Sequence, residues 1–213
     1  MTLLLALDFA SVAVFALTGA LVASRSQLDL VGFIFVACLT AVGGGTIRDV
    51  LLNRDLVFWI ADPTILLAAV AAAVVVFFGA HLLESRYRAI VWLDAFALSV
   101  AVPAGVGVAL GLGHHWAVVM VMGVATGCFG GLMRDVVCNE VPLVLKQGEI
   151  YATAAFAGSG AAILAVLLGY ATGYALLACA GITFVLRAGS IVFGWSLPVY
   201  RTKPPRPESP KQS

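Results

Sequence analysis

Residues 43–53 read Gly43-Gly44-Gly45-Thr46-Ile47-Arg48-Asp49-Val50-Leu51-Leu52-Asn53, and residues 129–139 read Phe129-Gly130-Gly131-Leu132-Met133-Arg134-Asp135-Val136-Val137-Cys138-Asn139. The two stretches lie 86 positions apart, and the same shift places Leu7-Asp8 on Leu93-Asp94, Gly19 on Gly105 and Thr40 on Thr126 without a gap. Apolar coincidences carry little weight in so apolar a chain. Asp, Arg and Asn are scarce here and still keep one register, so the chain contains an internal repeat, and a repeat dictates architecture before any single element is assigned.

Hydrophobic residues make up 62% of the 213 and charged residues only 11%, with a mean hydropathy of +1.06. An ordinary soluble domain carries about a quarter charged residues. The chain is therefore an integral membrane protein. Apolar stretches run roughly over 3–23, 30–47, 63–83, 89–110, 116–133, 150–169 and 173–194, each near the ~20 residues that cross a bilayer. The predicted fold is all-α, with seven transmembrane helices. The first stretch carries Asp8 and lacks a basic leader, so it is expected to persist as a mature helix rather than be cleaved as a signal.

Residues 1–86 form the first three-helix repeat, 87–172 the second and 173–197 a seventh helix with no repeat partner. An odd number of crossings per copy makes the second copy enter from the opposite face, so the halves are inverted, an arrangement that places function where the copies meet near mid-depth. The tail 198–213, with Pro204, Pro205, Pro207 and Pro210, reads as a disordered cytoplasmic end. Counting Lys and Arg in alternate loops gives nine on one side (Arg25, Arg86, Arg88, Arg134, Lys146, Arg201, Lys203, Arg206, Lys211) against Arg48 and Arg54 on the other. That bias predicts the N-terminus outside and the C-terminus in the cytoplasm of a cell (inner) membrane.

The formal net charge of +1 gives no basis for a nucleic-acid partner. Cys38, Cys128, Cys138 and Cys179 lie in apolar runs without metal-ligand spacing, so no metal or cofactor is expected. His114-His115 reads as a polar turn, and Glu149 and Tyr151 as interfacial anchors at the start of the sixth span.

The second span can stop at Gly43-Gly44-Gly45 or run from Asp29 to about Arg54 as one element broken at the glycines. Three adjacent glycines cost about 1 kcal/mol each relative to Ala, so they are expected to serve a kink, close backbone packing or carbonyls freed for a ligand. The broken helix is the expected form, with Gly130-Gly131 as its counterpart. Beyond each break stand Arg48, Asp49, Asn53 and Arg134, Asp135, Asn139. Asp and Asn at i and i+4 share a helix face, whereas Arg and Asp at i and i+1 point about 100° apart. Cross-pairing between copies, Arg48 with Asp135 and Arg134 with Asp49, or exposure to a water-filled cavity, is the expected answer to burying these charges. The alternative is interfacial: Arg snorkels and Asp caps a helix. Asp8 and Asp94 read as intramembrane acids or as caps near a surface, and Arg187 as an intramembrane charge that snorkels or pairs with one of them.

With Glu149-Ile150-Tyr151-Ala152-Thr153-Ala154-Ala155 and Phe193-Gly194-Trp195-Ser196-Leu197-Pro198 added to the doubled glycine–Arg–Asp motif, the chain resembles the prokaryotic trimeric intracellular cation (TRIC) channels, a family overlapping bacterial proteins with a glycine-transporter-like domain. The resemblance covers almost all of the chain except the tail. It implies seven helices with inverted repeats and a homotrimer with a pore for monovalent cations, mainly potassium, in each subunit. Helices two and five would line that pore, kinked at Gly43, Gly44, Gly45, Gly130 and Gly131, with Thr46, Arg48, Asp49, Asn53, Thr126, Arg134, Asp135 and Asn139 as its charged and polar groups. Animal members resemble this pattern with Lys-Glu-Val near Arg134-Asp135-Val136, linked there to lipid headgroups; Arg keeps the charge but not the geometry. A secondary transporter for a small amino acid such as glycine is the alternative. No nucleophile–base motif supports an enzyme.

Overall fold

The computed structural model describes residues 3–82, 85–146 and 150–198. The described residues form helices and short turns: α1 (Leu3–Arg25), α2 (Leu30–Leu51), α3 (Phe58–Ala61), α4 (Thr64–Gly79), α5 (Arg86–Gly111), α6 (Trp116–Val137), α7 (Ala152–Leu167) and α8 (Thr172–Phe193). Six helical segments, with α4 extended by a 3-10 turn to Leu82, are long and apolar enough to cross a membrane, and α7 is a shorter apolar helix. With α3 a single turn leading into α4, seven helices remain as the body of an all-helical membrane protein. The predicted tail and Glu149 fall outside the described residues, apart from Pro198.

Local chemistry sets the ends. Asp29 caps α2 by accepting from Gly32 N at 2.8 Å, and Ser85 caps α5 by accepting from Arg88 N. Both repeat-motif helices stop in one way: Asn53 (φ 50°) and Asn139 (φ 54°) take the left-handed conformation. The next amides, Arg54 N and Glu140 N, then donate back to Asp49 O at 3.0 Å and Asp135 O at 2.8 Å. Asn tolerates this conformation better than other side-chain-bearing residues because its short amide can bond locally. Asn53 and Asn139 thus end the helices.

The packing repeats as the sequence does. α1 lies on α2 and α4, α5 lies on α6 and α7, and the halves join through α1 against α5 and α2 against α6, with α8 packed on α5 and α7. Small residues allow the close approach that drives association where lipid tails are as apolar as side chains. A Cβ on Gly19 would stand 2.6 Å from Thr40 Oγ1, and one on Gly105 2.5 Å from Thr126 Oγ1. At the α2–α6 crossing the relation is reciprocal: a Cβ on Gly44 would lie 2.2 Å from Thr126 O, and one on Gly130 2.5 Å from Thr40 O.

The expected break in the second helix is corrected. α2 runs without interruption from Leu30 to Leu51 through all three glycines, and α6 from Trp116 to Val137 through Gly130-Gly131. The glycines serve the close packing of backbones, since a single methyl at the crossing would overlap the opposing carbonyl. Gly44→Ala and Gly130→Ala should each cost about 1–3 kcal/mol, read as a lower melting temperature in detergent. Gly181→Ala, where a methyl meets nothing within 4 Å in the subunit, should leave it unchanged or slightly raised.

Candidate functional site

Each motif helix delivers its Arg and Asp to the interior at its C-terminal end. Because α2 and α6 are the second and fifth spans of an inverted pair, those ends lie on opposite sides of the bundle. In the first copy Arg48 donates through Nη1 to Asp8 Oδ1 of α1 at 2.8 Å and through Nε to Asp49 Oδ1 at 2.7 Å. In the second, Arg134 donates through Nη1 to Asp94 Oδ1 of α5 at 2.7 Å and through Nε to Asp135 Oδ1 at 2.7 Å. Both guanidinium groups are fully buried. The second carboxylate oxygen of each neighbouring Asp accepts a backbone amide from the returning chain: Phe58 N to Asp49 Oδ2 at 2.8 Å, Leu143 N to Asp135 Oδ2 at 2.9 Å.

The predicted cross-pairing is therefore wrong. The ion pairs of Arg48 and Arg134 are made within their own copies. The expectation assumed that adjacent side chains diverge, but that holds at Cβ; the three-carbon arginine stem lets Nε fold back to the next residue. Asp8 and Asp94 are buried ion-pair partners of Arg48 and Arg134 rather than helix caps.

The copies differ in what surrounds the pairs. Asp49 also accepts from Arg54 Nη1 at 3.2 Å, whereas the counterpart of Arg54 is Glu140, which pairs with Arg25 at 3.4 Å. The Arg48 guanidinium sits over the Phe58 ring at 5.4 Å. Arg134 instead donates through Nη1 to Thr18 Oγ1 of the other copy at 3.0 Å. The repeat places Ala104 opposite Thr18 and Ile65 opposite Tyr151.

Other expected site residues have other surroundings. Thr126 Oγ1 donates to Met122 O at 2.6 Å within its own helix. Thr46 Oγ1 donates to Val42 O and accepts from Trp59 Nε1 at 2.9 Å. Asn53 and Asn139 are exposed at the helix ends. Arg187 is fully buried, its guanidinium 5.1 Å from the Tyr151 ring centroid. The reading of Tyr151 as an interfacial anchor is corrected, because its ring is only 1% exposed. His115 caps α6, accepting from Ala117 N at 3.3 Å, and among the described residues no three His, Cys, Asp or Glu side chains gather as metal ligands. Thr18 and Phe58 escaped the sequence reading, and Tyr151 was given another role. Their only signal was a departure from the repeat beside a charged position.

A cavity opens at each end of the crossing. One, of about 300 Å³, reaches Arg134 and Asp135 and is walled by Arg25, Tyr87 and Lys146. The other, of about 440 Å³, lies at the end of α2 against Asn53, Arg54 and Asp55.

The site is thus a glycine crossing between two inverted halves of a helical membrane protein, with a buried Arg–Asp pair and a cavity at each end. The glycine transporter family model matches twice, over residues 5–81 and 91–167. A UPF0126 membrane protein of Vibrio cholerae is 38% identical over 204 residues, covering 93% of this chain and 83% of that one. The UPF0126 inner membrane protein YadS of Escherichia coli is 40% identical over 156 residues, 71% of this chain and 73% of that one. Among solved structures, the TRIC trimeric intracellular cation channel orthologue from Rhodobacter sphaeroides superposes with a TM-score of 0.88 at 42% identity, covering 91% of this chain and all of that one. A second TRIC cation channel gives 0.85 at 27% identity over 95% of this chain and all of its own. The chain belongs to the prokaryotic TRIC (UPF0126) family of membrane proteins.

The ion pairs make a direct forecast. Removing one partner of a buried pair costs about 3–5 kcal/mol, so Asp94→Asn should lower the melting temperature more than Asp8→Asn, whose carboxylate keeps 12% exposure against none for Asp94. In double-mutant cycles Arg48 should couple to Asp8 and show no coupling to Asp135.

Proposed function

We propose that this protein is a monovalent cation channel, with potassium as the permeant ion and one pore in each subunit of a homotrimer. The observation that carries the reading is the superposition of nearly the whole chain on a TRIC cation channel at 42% identity. The Arg–Asp pairs and cavities at both ends of the α2–α6 crossing give that likeness a physical content. The N-terminus outside and the C-terminus inside the cell membrane follow from the bias of basic residues.

An ion leaving water must be offered oxygen in exchange. Asp49 and Asp135 stand at opposite ends of the crossing, each beside a guanidinium that keeps the local charge from trapping the ion. Between them α2 and α6 touch at Gly44 and Gly130, so conduction requires the helices to shift there; glycine leaves no side chain to block that movement. Thr46 and Thr126 contribute chiefly through their backbone, because their hydroxyls are already bonded.

Purified protein in planar bilayers under asymmetric potassium chloride should give discrete openings that reverse near the potassium potential. Asp49→Asn and Asp135→Asn should each reduce unitary conductance or cation preference. Electrically silent protein that accumulates glycine in liposomes would establish the transporter instead.

A further inference from the structure

Gly45 and Gly131 hold the same place in the two copies, but their surroundings differ. A Cβ built on Gly45 would come within 2.5 Å of Phe58 Cε1, so an aromatic ring covers that glycine. A Cβ on Gly131 would meet no ring. Its nearest neighbours would be Tyr151 Oη at 3.3 Å, Arg134 Nη2 at 3.5 Å and Asp94 Oδ1 at 3.5 Å. Gly131 thus forms the floor of a cradle about a methyl group deep, walled by polar groups from α5, from α6 and from the residue that precedes α7.

These walls are buried: Asp94 and Arg134 are 0% exposed and Tyr151 is 1% exposed. Tyr151 Oη, Arg134 Nη2 and the second carboxylate oxygen of Asp94, Oδ2, have no hydrogen-bond partner in the protein. A buried polar atom left unmet costs about 1–3 kcal/mol, more when charged. Two of these atoms, Tyr151 Oη and Arg134 Nη2, stand at the glycine, and the third belongs to the carboxylate whose Oδ1 completes the cradle, so the three groups point to a single occupant.

Their chemistry selects it. The guanidinium can only donate, the carboxylate can only accept and the phenol can do both. A cation there would face the guanidinium, an anion the carboxylate, and an apolar group would satisfy none of the three. Water accepts from Arg134, donates to Asp94 and exchanges with Tyr151, the roughly three bonds a buried water typically makes. We infer that Asp94, Arg134 and Tyr151, gathered around Gly131, bind one buried water molecule that bridges α5, α6 and the start of α7.

The first copy has no such site. Phe58 covers Gly45, and Ile65 is the counterpart of Tyr151. The second charge cluster is therefore hydrated at this position, where in the first a ring covers the equivalent glycine. The water gives Arg134 Nη2 a partner it can exchange when α6 moves, whereas Arg48, whose Nη2 is also without a hydrogen-bond partner in the protein, has the Phe58 ring beside it. The site does not depend on what the chain conducts, so it stands or falls apart from the channel reading.

The test is a density map of the lipid-embedded protein at a resolution that shows other buried waters, with Gly131→Ala alongside. A peak within hydrogen-bonding distance of Tyr151 Oη, Arg134 Nη2 and Asp94, absent in Gly131→Ala, is the expected result. No peak, Tyr151 donating directly to Asp94, or a peak that strengthens when potassium is exchanged for thallium would each overturn the inference, the last by marking a cation. Should Gly131→Ala fail to fold, the wild-type map decides alone. Radiolytic labelling in oxygen-18 water gives a solution readout: Tyr151, though buried, should take up label, and Tyr151 in Gly131→Ala several-fold less. Equal labelling of the two proteins would count against a bound water.

Discussion

An arginine buried between two carboxylates, twice over, constrains everything else in this molecule. Transferring an isolated charge from water into a medium like the bilayer interior costs several kcal/mol even after relaxation. Arg48 and Arg134 meet that cost with paired acids at 2.7–2.8 Å. One guanidinium against two carboxylates leaves a negative excess. In the first copy Arg54 and the Phe58 amide take it up, and in the second the Leu143 amide contributes. Each Asp beside an Arg therefore does two things: it neutralises its neighbour and pins the chain that returns after the helix. Well-packed apolar residues of similar volume often replace such a cluster without loss of stability. That two clusters persist in a chain with 11% charged residues argues for a role beyond holding the fold together.

The glycines follow from the same arrangement. For each Arg to reach an acid on the preceding span of its copy, α1 must lie close on α2, and α5 close on α6. Gly19 against Thr40 and Gly105 against Thr126 permit that approach. The carbonyls of the same two threonines then meet Gly130 and Gly44 across the crossing. Thr40 and Thr126 thus join both contacts, the hydroxyl bonded within its own helix and the carbonyl against the other copy. The pseudo-two-fold relation is local and reciprocal at the atoms where the halves touch.

This organisation was legible to different depths. The repeat and the spans could be read because Asp, Arg and Asn are rare in the chain and their register is conspicuous. The α2 and α6 stops at Asn53 and Asn139 were marked by the spacing of Asn from Asp but read as part of a polar face, since a left-handed residue is indistinguishable from one more helical turn in sequence. The glycine triplet offered kink, packing or free carbonyls, and nothing in composition chooses among them; what decides is whether another backbone lies within a methyl's reach. The pairing of Arg48 and Arg134 was misread because residue spacing fixes the direction of Cβ, not the end of a long side chain. Thr18 was passed over, and Tyr151 read as an interfacial anchor, because neither has a matching counterpart in the repeat and the reading looked for agreement between copies.

Those disagreements carry the information that symmetry withholds. Two identical inverted halves would present the same chemistry to both sides of a membrane and give a path with no direction. Here Arg54 is answered by Glu140, Phe58 by Val144, Ile65 by Tyr151 and, on the opposite diagonal, Thr18 by Ala104. Every one of these changes falls in or beside a charge cluster, and together they make the first cluster more basic and closed by a ring, the second more acidic and lined with hydroxyls. The wall of the cavity at the second cluster then restores positive charge with Arg25 and Lys146, whose cationic groups lie 5.3 and 4.9 Å from the Tyr87 ring. The repeat builds the frame that lets buried charge be carried across the bundle, and the departures from it give the two ends of a symmetrical scaffold different charge and polarity.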